Sequence, residues 1–421
     1  MPKSNSGLTR KQEIILDHYN RNQPQHLIME GAVRSGKTHL NNLLWMAHIA
    51  RVPKPSKSFI LTGRTMGSIE RNVIAPMEDF SGRTIRLNNF NQFTWAGHRV
   101  CCFGSDNESS YKAMQGMTGF GWYANEVTTH HPNTIYEAFQ RCSGEGTRIF
   151  WDTNPDHPFH FVKTDYVDHS GLRGDNGRLL LQSFHFTLDD NEYLTPEYLA
   201  QVKRTTPKGM WYDRRIKGLW VAAEGIIYEQ FDRHTHIFDP FEIPEDWRRV
   251  RGIDFGTVHP FVMLWGAIDP DGRLWIYREY FKTQTLIRHH AEHIKTVSEG
   301  ERYWWTASDH DAQERLEYES HDIPTIPAQK SVLLGIDKVA QRMVDQIDGR
   351  PRVMISKECT ELARQLGTYR WIEMQDGKPY REEPLKVDDD GPDVLRYMIM
   401  ELDNNTTPII SDGFRGFSRG G

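Results

Sequence analysis

The 421-residue sequence is poor in cysteine, in long apolar runs and in basic excess, and each shortage removes a class of protein. Its four cysteines, Cys101, Cys102, Cys142 and Cys359, include no CxxC pair and make no secreted disulfide framework, so a reducing compartment is expected. The longest apolar run, Phe261 to Ile268, is far below the ~20 residues of a membrane span. The polar, basic stretch Met1 to Arg10 lacks the apolar core of a secretory signal, so no membrane association is expected. Repeats, heptads and low-complexity blocks are missing, apart from a Gly/Arg/Ser tail, Gly413 to Gly421, that reads as a frayed end. A zinc set is missing as well: neither His289, His290 and His293 nor His157 and His160 have a Cys or Glu at ligand spacing, and surface or helix-end histidines are expected. With 51 Lys+Arg against 57 Asp+Glu the net charge is −6, an objection to any nucleic-acid partner.

What is present is the profile of a globular chain, 26% charged, 38% hydrophobic and 11% aromatic, long enough for about two to three domains. From Gln12 to about Phe186, short apolar runs (His26 to Glu30, Ser58 to Gly63, Arg99 to Gly104, Phe120 to Ala124, Arg148 to Trp151) alternate with helical stretches such as Lys37 to Arg51 and Asn133 to Arg141. That order predicts a parallel sheet covered by helices. Residues 189–245 differ in texture, with helix-like segments at Thr195 to Thr206 and Gly209 to Gly218, and read as an intermediate segment. Beyond them, Arg249 to Phe255, Phe261 to Ile268 and Leu274 to Tyr280, the last two joined by Asp269-Pro270-Asp271-Gly272, predict three strands in meander. A helix at Leu286 to Val297, a strand at Tyr303 to Ser308 and helices near Gly335 to Ile347, Lys357 to Leu366 and Pro392 to Leu402 complete a βββαβα order, a second α/β domain. The expected division is 1–188, 189–245 and 246–421.

Gly31-Ala-Val-Arg-Ser-Gly-Lys-Thr38 fits G-x-x-x-x-G-K-[ST] without a mismatch and lies between an apolar run and an amphipathic stretch, as a P-loop must. Gly31 and Gly36 let the backbone N–H groups curl around phosphate at a helix N-terminus. Lys37 would reach the β and γ oxygens of ATP and Thr38 would ligate Mg²⁺. An ATPase also needs a carboxylate for the attacking water, and Glu126, closing the run Phe120 to Asn125, is the candidate base. Asn125 sits where most such enzymes carry Asp, and an amide is a weaker, uncharged ligand. The run Ile149 to Asp152 ends in Thr153, Asn154 and Pro155, which on chemistry alone is either a turn or a γ-phosphate sensor.

Three acidic residues of the C-terminal half stand at comparable places. Asp254 and Asp309 end the first and fourth expected strands and Asp393 opens the last helix, after Asp388, Asp389 and Asp390. Carboxylates from separated segments can converge on a pair of divalent ions that polarise a phosphodiester. Four Asp within six residues repel one another unless a cation offsets them.

These motifs, in this order, resemble the large terminase subunit of tailed bacteriophages, the motor-nuclease that packages viral DNA, over about Leu8 to Asp403. Thr9-Arg-Lys-Gln12 is similar to the family's adenine-contacting motif, with Gln12 the contact. Gly31 to Thr38, with Arg34 and Ser35 inside the loop, resembles its Walker A variant, and Phe120 to Glu126 its Walker B. Asp152 to Pro155 resembles the coupling motif, which gives Asn154 the sensor role. Lys217 to Trp220 and Glu224 to Tyr228 look like the junction between ATPase and nuclease. Asp254, Asp309 and Asp393 match the acidic positions of its RNase H-like nuclease, with Asp389 or Asp390 as an additional candidate ligand.

The resemblance implies an N-terminal P-loop (RecA/ASCE-like) ATPase with a parallel sheet and a C-terminal RNase H-like α/β nuclease. It further implies ATP and Mg²⁺ as cofactors, with Mn²⁺ an option at the nuclease. The implied partners are double-stranded viral DNA, the portal protein of the procapsid and the small terminase subunit. The chain would be a monomer in solution and a homo-oligomeric ring on the portal, in the host cytoplasm and not in the mature virion. An arginine from a neighbouring subunit, with Arg64, Arg71 and Arg141 as candidates, would complete the ATPase site. The competing readings are an ATP-dependent helicase-nuclease, which would need a second motor-like domain, and a nucleotide-switched DNA-binding scaffold. Acidic clusters belong to the expected active centres, and Arg214, Arg215, Lys217, Arg248, Arg249 and Arg251 offer basic groups, so a net charge of −6 leaves weak, salt-sensitive DNA binding as the expectation.

Overall fold

A computed structural model describes residues 7–107, 109–256, 259–329, 331–373 and 381–406; the first six residues and the Gly413 to Gly421 tail lie outside them. The chain forms two compact units, Met1–Lys203 with Gly209–Ala223, and Arg204–Lys208 with Glu224–Gly421, so the 189–245 stretch is shared between them.

The first unit is built on seven strands, β1 (His26–Gly31), β2 (Ser58–Gly63), β3 (Gln92–Trp95), β4 (His98–Gly104), β5 (Gly119–Asn125), β6 (Arg148–Thr153) and β7 (Leu181–Phe186). Their order is β3-β4-β2-β5-β6-β1-β7, parallel throughout except for the β3–β4 pair. Each central strand feeds two apolar layers, because alternate side chains leave opposite faces of the sheet. Leu27, Met29, Phe59, Leu61, Tyr123 and Phe150 join one core with Leu40, Leu44 and Trp45 of the Lys37–Arg51 helix. Ile28, Ile60, Trp122, Ala124, Ile149 and Trp151 join the other with Ile135 and Ala138 of the Pro132–Arg141 helix. A helix at Arg10–Asn22 precedes β1, started by a capping box in which Thr9 and Gln12 satisfy each other's free N–H groups.

The second unit holds β8 (Ile237–Phe238), β9 (Arg248–Asp254), β10 (Phe261–Ile268), β11 (Leu274–Lys282), β12 (Tyr303–Ser308), β13 (Ile326–Pro327) and β14 (Val353–Ser356), in the order β13-β12-β9-β10-β11-β14-β8. The β9–β10–β11 meander is antiparallel, and β12 and β14 are parallel additions on its two sides, the mixed sheet of an RNase H-like fold. Every residue of β10 is buried. One face is covered by the Ile287–Val297 and Ala312–Ser320 helices, through Ala291, Ile294 and Tyr318. The long Asp390–Thr406 helix covers β9 and β10, and Gly252 makes that approach close: a Cβ there would meet Met398 and Val394 side-chain carbons at 2.6 Å.

The expected helices appear as Ile287–Val297, Val332–Met343, Thr360–Thr368 and Asp390–Thr406, and β13 and β14 extend the βββαβα order. His290 lies in the first turn of the Ile287–Val297 helix, yet it is 2% exposed and stacks on Phe261 at 4.2 Å, and burial holds its pKa down at about 4. Cys101, Cys102 and Cys359 are buried thiols and Cys142 is half-buried. Among the described residues no helix is long and apolar enough to cross a membrane.

Candidate functional site

The first site grows from the end of β1. Gly31 has φ +130°, and a Cβ on it would lie 2.0 Å from the Phe186 carbonyl of β7, so only glycine lets the chain turn there. The following loop runs into the Lys37–Arg51 helix through Gly36, also at positive φ. Lys37 folds back beneath it: Nζ donates to the carbonyls of Gly31 at 3.0 Å and Ala32 at 2.6 Å, to Ser35 Oγ at 3.5 Å and to Asn154 Oδ1 at 3.0 Å. Burial lowers its pKa to about 8, against the pull of Asp152, Glu30 and Glu126.

Above the lysine opens a cleft of about 450 Å³, whose walls include Arg34, Ser35, Gly36, Thr38, Glu126 and Asn154. Glu126 follows β5 with φ +57°, left-handed for a residue with a side chain. Burial, then the Asp152 charge, raises its pKa, while Lys37, Arg64 and Arg71 oppose the rise. Arg64 and Arg71 thus act on Glu126 of their own chain, and Arg141 is paired with Glu137 at 2.8 Å. Arg34 lies with its guanidinium 5.4 Å from the centre of the Tyr198 ring and bonds the Tyr198 hydroxyl. Gln12 ties the first helix to the loop, with Nε2 donating to the Gly36 carbonyl at 2.8 Å. It lines an adjoining cleft of about 340 Å³ with Thr9, His39, Asn191 and Tyr193.

Asn125 is not part of the cleft wall. It is 1% exposed, donates Nδ2 to Asp152 at 2.9 Å and accepts from Asn72 Nδ2 at 3.0 Å. The sequence placed Asp152 in the coupling motif without giving it a role of its own; the available signal was a carboxylate closing an apolar strand, where burial demands partners. Sequence reasoning missed Glu30, whose carboxylate accepts from Trp220 Nε1 at 3.0 Å and faces His185 Nδ1 at 3.0 Å. The other ring nitrogen of His185 lies 3.0 Å from the Lys217 carbonyl. In its doubly protonated form the imidazole donates to both acceptors, and its pKa is raised, chiefly by the bond to Glu30.

The second site lies at the open ends of β9 and β12. These strands run parallel in register, with Asp309 N–H donating to the Ile253 carbonyl, so Asp254 and Asp309 emerge side by side. The Asp390–Thr406 helix brings Asp393 to them. Burial raises the Asp254 pKa to about 8, helped by Asp393, Asp309, Asp390 and Asp389 in that order. Such a set of hard oxygen donors, held against repulsion, suits a divalent ion in its chemistry. Protein cations offset part of the charge: Arg396 pairs with Asp393 at 3.1 Å, and Lys386 lies 2.9 Å from Asp389 and 3.5 Å from Asp393. Among the described residues no three His, Cys, Asp or Glu side chains stand together closely enough to hold an ion.

Of the basic groups near the junction, Arg214 is 8% exposed and bonds the Val221 carbonyl and Asp156, while Arg251 is 7% exposed, stacked on Tyr303 and bonded to Thr306. Both are core residues and not part of a basic surface.

A family model described as the N-terminal part of the terminase large subunit, T4likevirus-type, matches residues 28–235. The fold is similar to the solved large terminase of a thermophilic bacteriophage, with TM-score 0.78 and 26% identity, covering 93% of this chain and 98% of that one. Two further structures of that terminase, one in complex with ADP and one with ATP-gamma-S, match with TM-score 0.75 and 25% identity, again over 93% of this chain and 98% of theirs. No curated protein sequence matches.

Proposed function

We propose that this chain, which resembles a terminase large subunit over residues 28–235 and in fold, is a large terminase subunit of a bacteriophage, the ATPase and the nuclease of a viral DNA-packaging motor. It hydrolyses ATP to drive double-stranded DNA through the portal into the procapsid, and it cuts that DNA. It works as a ring on the portal, together with the small subunit, in the host cytoplasm. One observation carries the motor half: Lys37 beneath the phosphate loop and Glu126 opposite it serve the same cleft.

The chemistry follows from those placements. The loop N–H groups and Lys37 hold the phosphates, and Thr38 offers a hydroxyl to Mg²⁺, which when bound neutralises charge developing on the γ-phosphoryl group. Glu126, with a raised pKa, is suited to accept a proton from the attacking water. Asn154, bonded to Lys37, changes partners when the γ-phosphate leaves, which is how β6 would sense turnover. In the second site Asp254 and Asp309, side by side at the strand ends, and Asp393 from the helix would have to draw closer together to hold Mg²⁺ or Mn²⁺, an ion that would activate water and stabilise the leaving oxygen of a phosphodiester.

Glu126→Ala tests the motor half. ATP turnover should fall to background, and wild-type turnover no faster than the variant's would reject it. Asp254→Ala and Asp309→Ala should each abolish Mg²⁺- or Mn²⁺-dependent plasmid cutting while leaving ATP hydrolysis intact. Undiminished cutting in both would reject the nuclease site.

A further inference from the structure

β5 ends in an amide, Asn125, at the place where a carboxylate is ordinary. We propose that β6 supplies the missing carboxylate: Asp152 is the positioning residue that sets Asn125 and Glu126 in their working geometry. The inference rests on the ATPase reading above and deepens it.

Register is the first support, because Asn125 and Asp152 are direct partners across the β5–β6 ladder. Asp152 is 1% exposed, so its oxygens need donors from the protein, and three point at it. Oδ1 accepts from Asn125 Nδ2 at 2.9 Å and from the Glu126 backbone N–H at 3.0 Å. Oδ2 accepts from the Tyr123 hydroxyl at 2.5 Å. All three donors come from β5 and the residue after it, so one side chain of β6 grips the end of the neighbouring strand.

The grip has a specific product. Glu126 takes φ +57°, a backbone conformation that costs a side-chain-bearing residue on the order of 1–3 kcal/mol unless its surroundings impose it. The bond from its own N–H to Asp152 is such an imposition, and it points the Glu126 side chain into the cleft wall. The same carboxylate fixes the Asn125 amide: with Nδ2 committed to Asp152, Oδ1 is left for Asn72 Nδ2. Direct metal ligation by Asp152 is a poorer account, since three donors occupy its oxygens and the residue does not line the cleft. Its charge also lies near enough to hold up the protonated form of Lys37.

The reciprocal exchange supplies the test. Asp152→Asn leaves one neutral amide oxygen for three donors that had two charged carboxylate oxygens, so the bonds that hold Asn125 and Glu126 weaken. The expected result is a fall in kcat of about a hundredfold, with the dissociation constant for a fluorescent ADP analogue changed by less than about threefold, a kcat effect without a binding effect. Asn125→Asp combined with Asp152→Asn returns the carboxylate to the pair from the other strand and should recover kcat to within about tenfold of the native value. A single variant within about threefold of native kcat overturns the proposal. So does a double variant that folds and turns over no faster than the single one. If Asp152→Asn fails to fold, Tyr123→Phe removes only the Oδ2 donor; a kcat loss of about fivefold or more with unchanged ADP affinity supports the grip, and native kcat overturns it. Glu126→Ala run beside these separates the two levels. Native turnover there would take down the ATPase reading itself, whereas its loss beside an unaffected Asp152→Asn would remove only the positioning role.

Discussion

Lys37 carries its charge into a place that resists it, and the consequences are measurable one residue at a time. With a pKa near 8 in the nucleotide-free protein, the side chain is cationic at neutral pH and largely neutral above pH 8. Phosphate binding favours the cation, so ADP binding at a pH about one unit above that value should take up close to one proton. Calorimetry in buffers of different ionisation heat reads this directly, and equal heats across buffers would contradict it. Glu126 gives the opposite limb. Its pKa is raised, so the base form is lost as pH falls through that raised value, and kcat should decline on the acid side earlier than for an ordinary exposed glutamate. A kcat flat down to the ordinary carboxylate range would be inconsistent with Glu126 as base. At Gly31 the prediction concerns stability. Gly31→Ala combines positive φ with a Cβ 2.0 Å from the Phe186 carbonyl, and should cost about 2 kcal/mol or more in denaturant unfolding.

At the scale of elements, β1, the loop and the Lys37–Arg51 helix were readable in advance because their signals are local: an apolar run, two glycines, an amphipathic period. The acidic strand ends Asp254 and Asp309 were readable for the same reason. β7 was not, since Leu181–Phe186 mixes Gln182, Ser183 and His185 into the strand at a sheet edge, and β14 is only four residues long. The role of Asp152 was beyond local pattern, because it depends on β6 lying next to β5 in one register, which no stretch of either strand encodes alone. The same holds for Glu30, His185 and Trp220, which come from β1, β7 and the chain after Lys217. That trio pins the 217–220 segment to the strand that carries the phosphate loop. Its histidine has a raised pKa, so the pin is fully present below the ordinary value of 6.5 and is lost as pH rises through the raised one. Amide exchange at 217–220, corrected for the intrinsic pH effect, should therefore quicken across that rise. Trp220→Phe should quicken it at acid pH as well. Protection independent of pH in the native chain would mean that the pin does not depend on the imidazolium.

For the whole molecule, the net charge is −6, and two of the basic groups near the junction, Arg214 and Arg251, are buried and unavailable to DNA. Duplex binding by the isolated protein should be weak and steep in salt, with log K falling linearly against log salt concentration. Tight binding that persists at high salt would contradict the packaging reading, in which DNA must be released at every step. The scarcity of cysteine has a practical counterpart. Burial pushes the Cys142 thiol up to about 12 and the other three thiols upward as well, and thiols react as thiolates. Slow reaction of the native chain with maleimides is therefore expected. A single thiol introduced at an exposed position such as Ile347, 69% exposed, would be the preferred point of attachment for a dye or a tether, opening this chain to single-molecule force and distance measurement on an otherwise unaltered sequence.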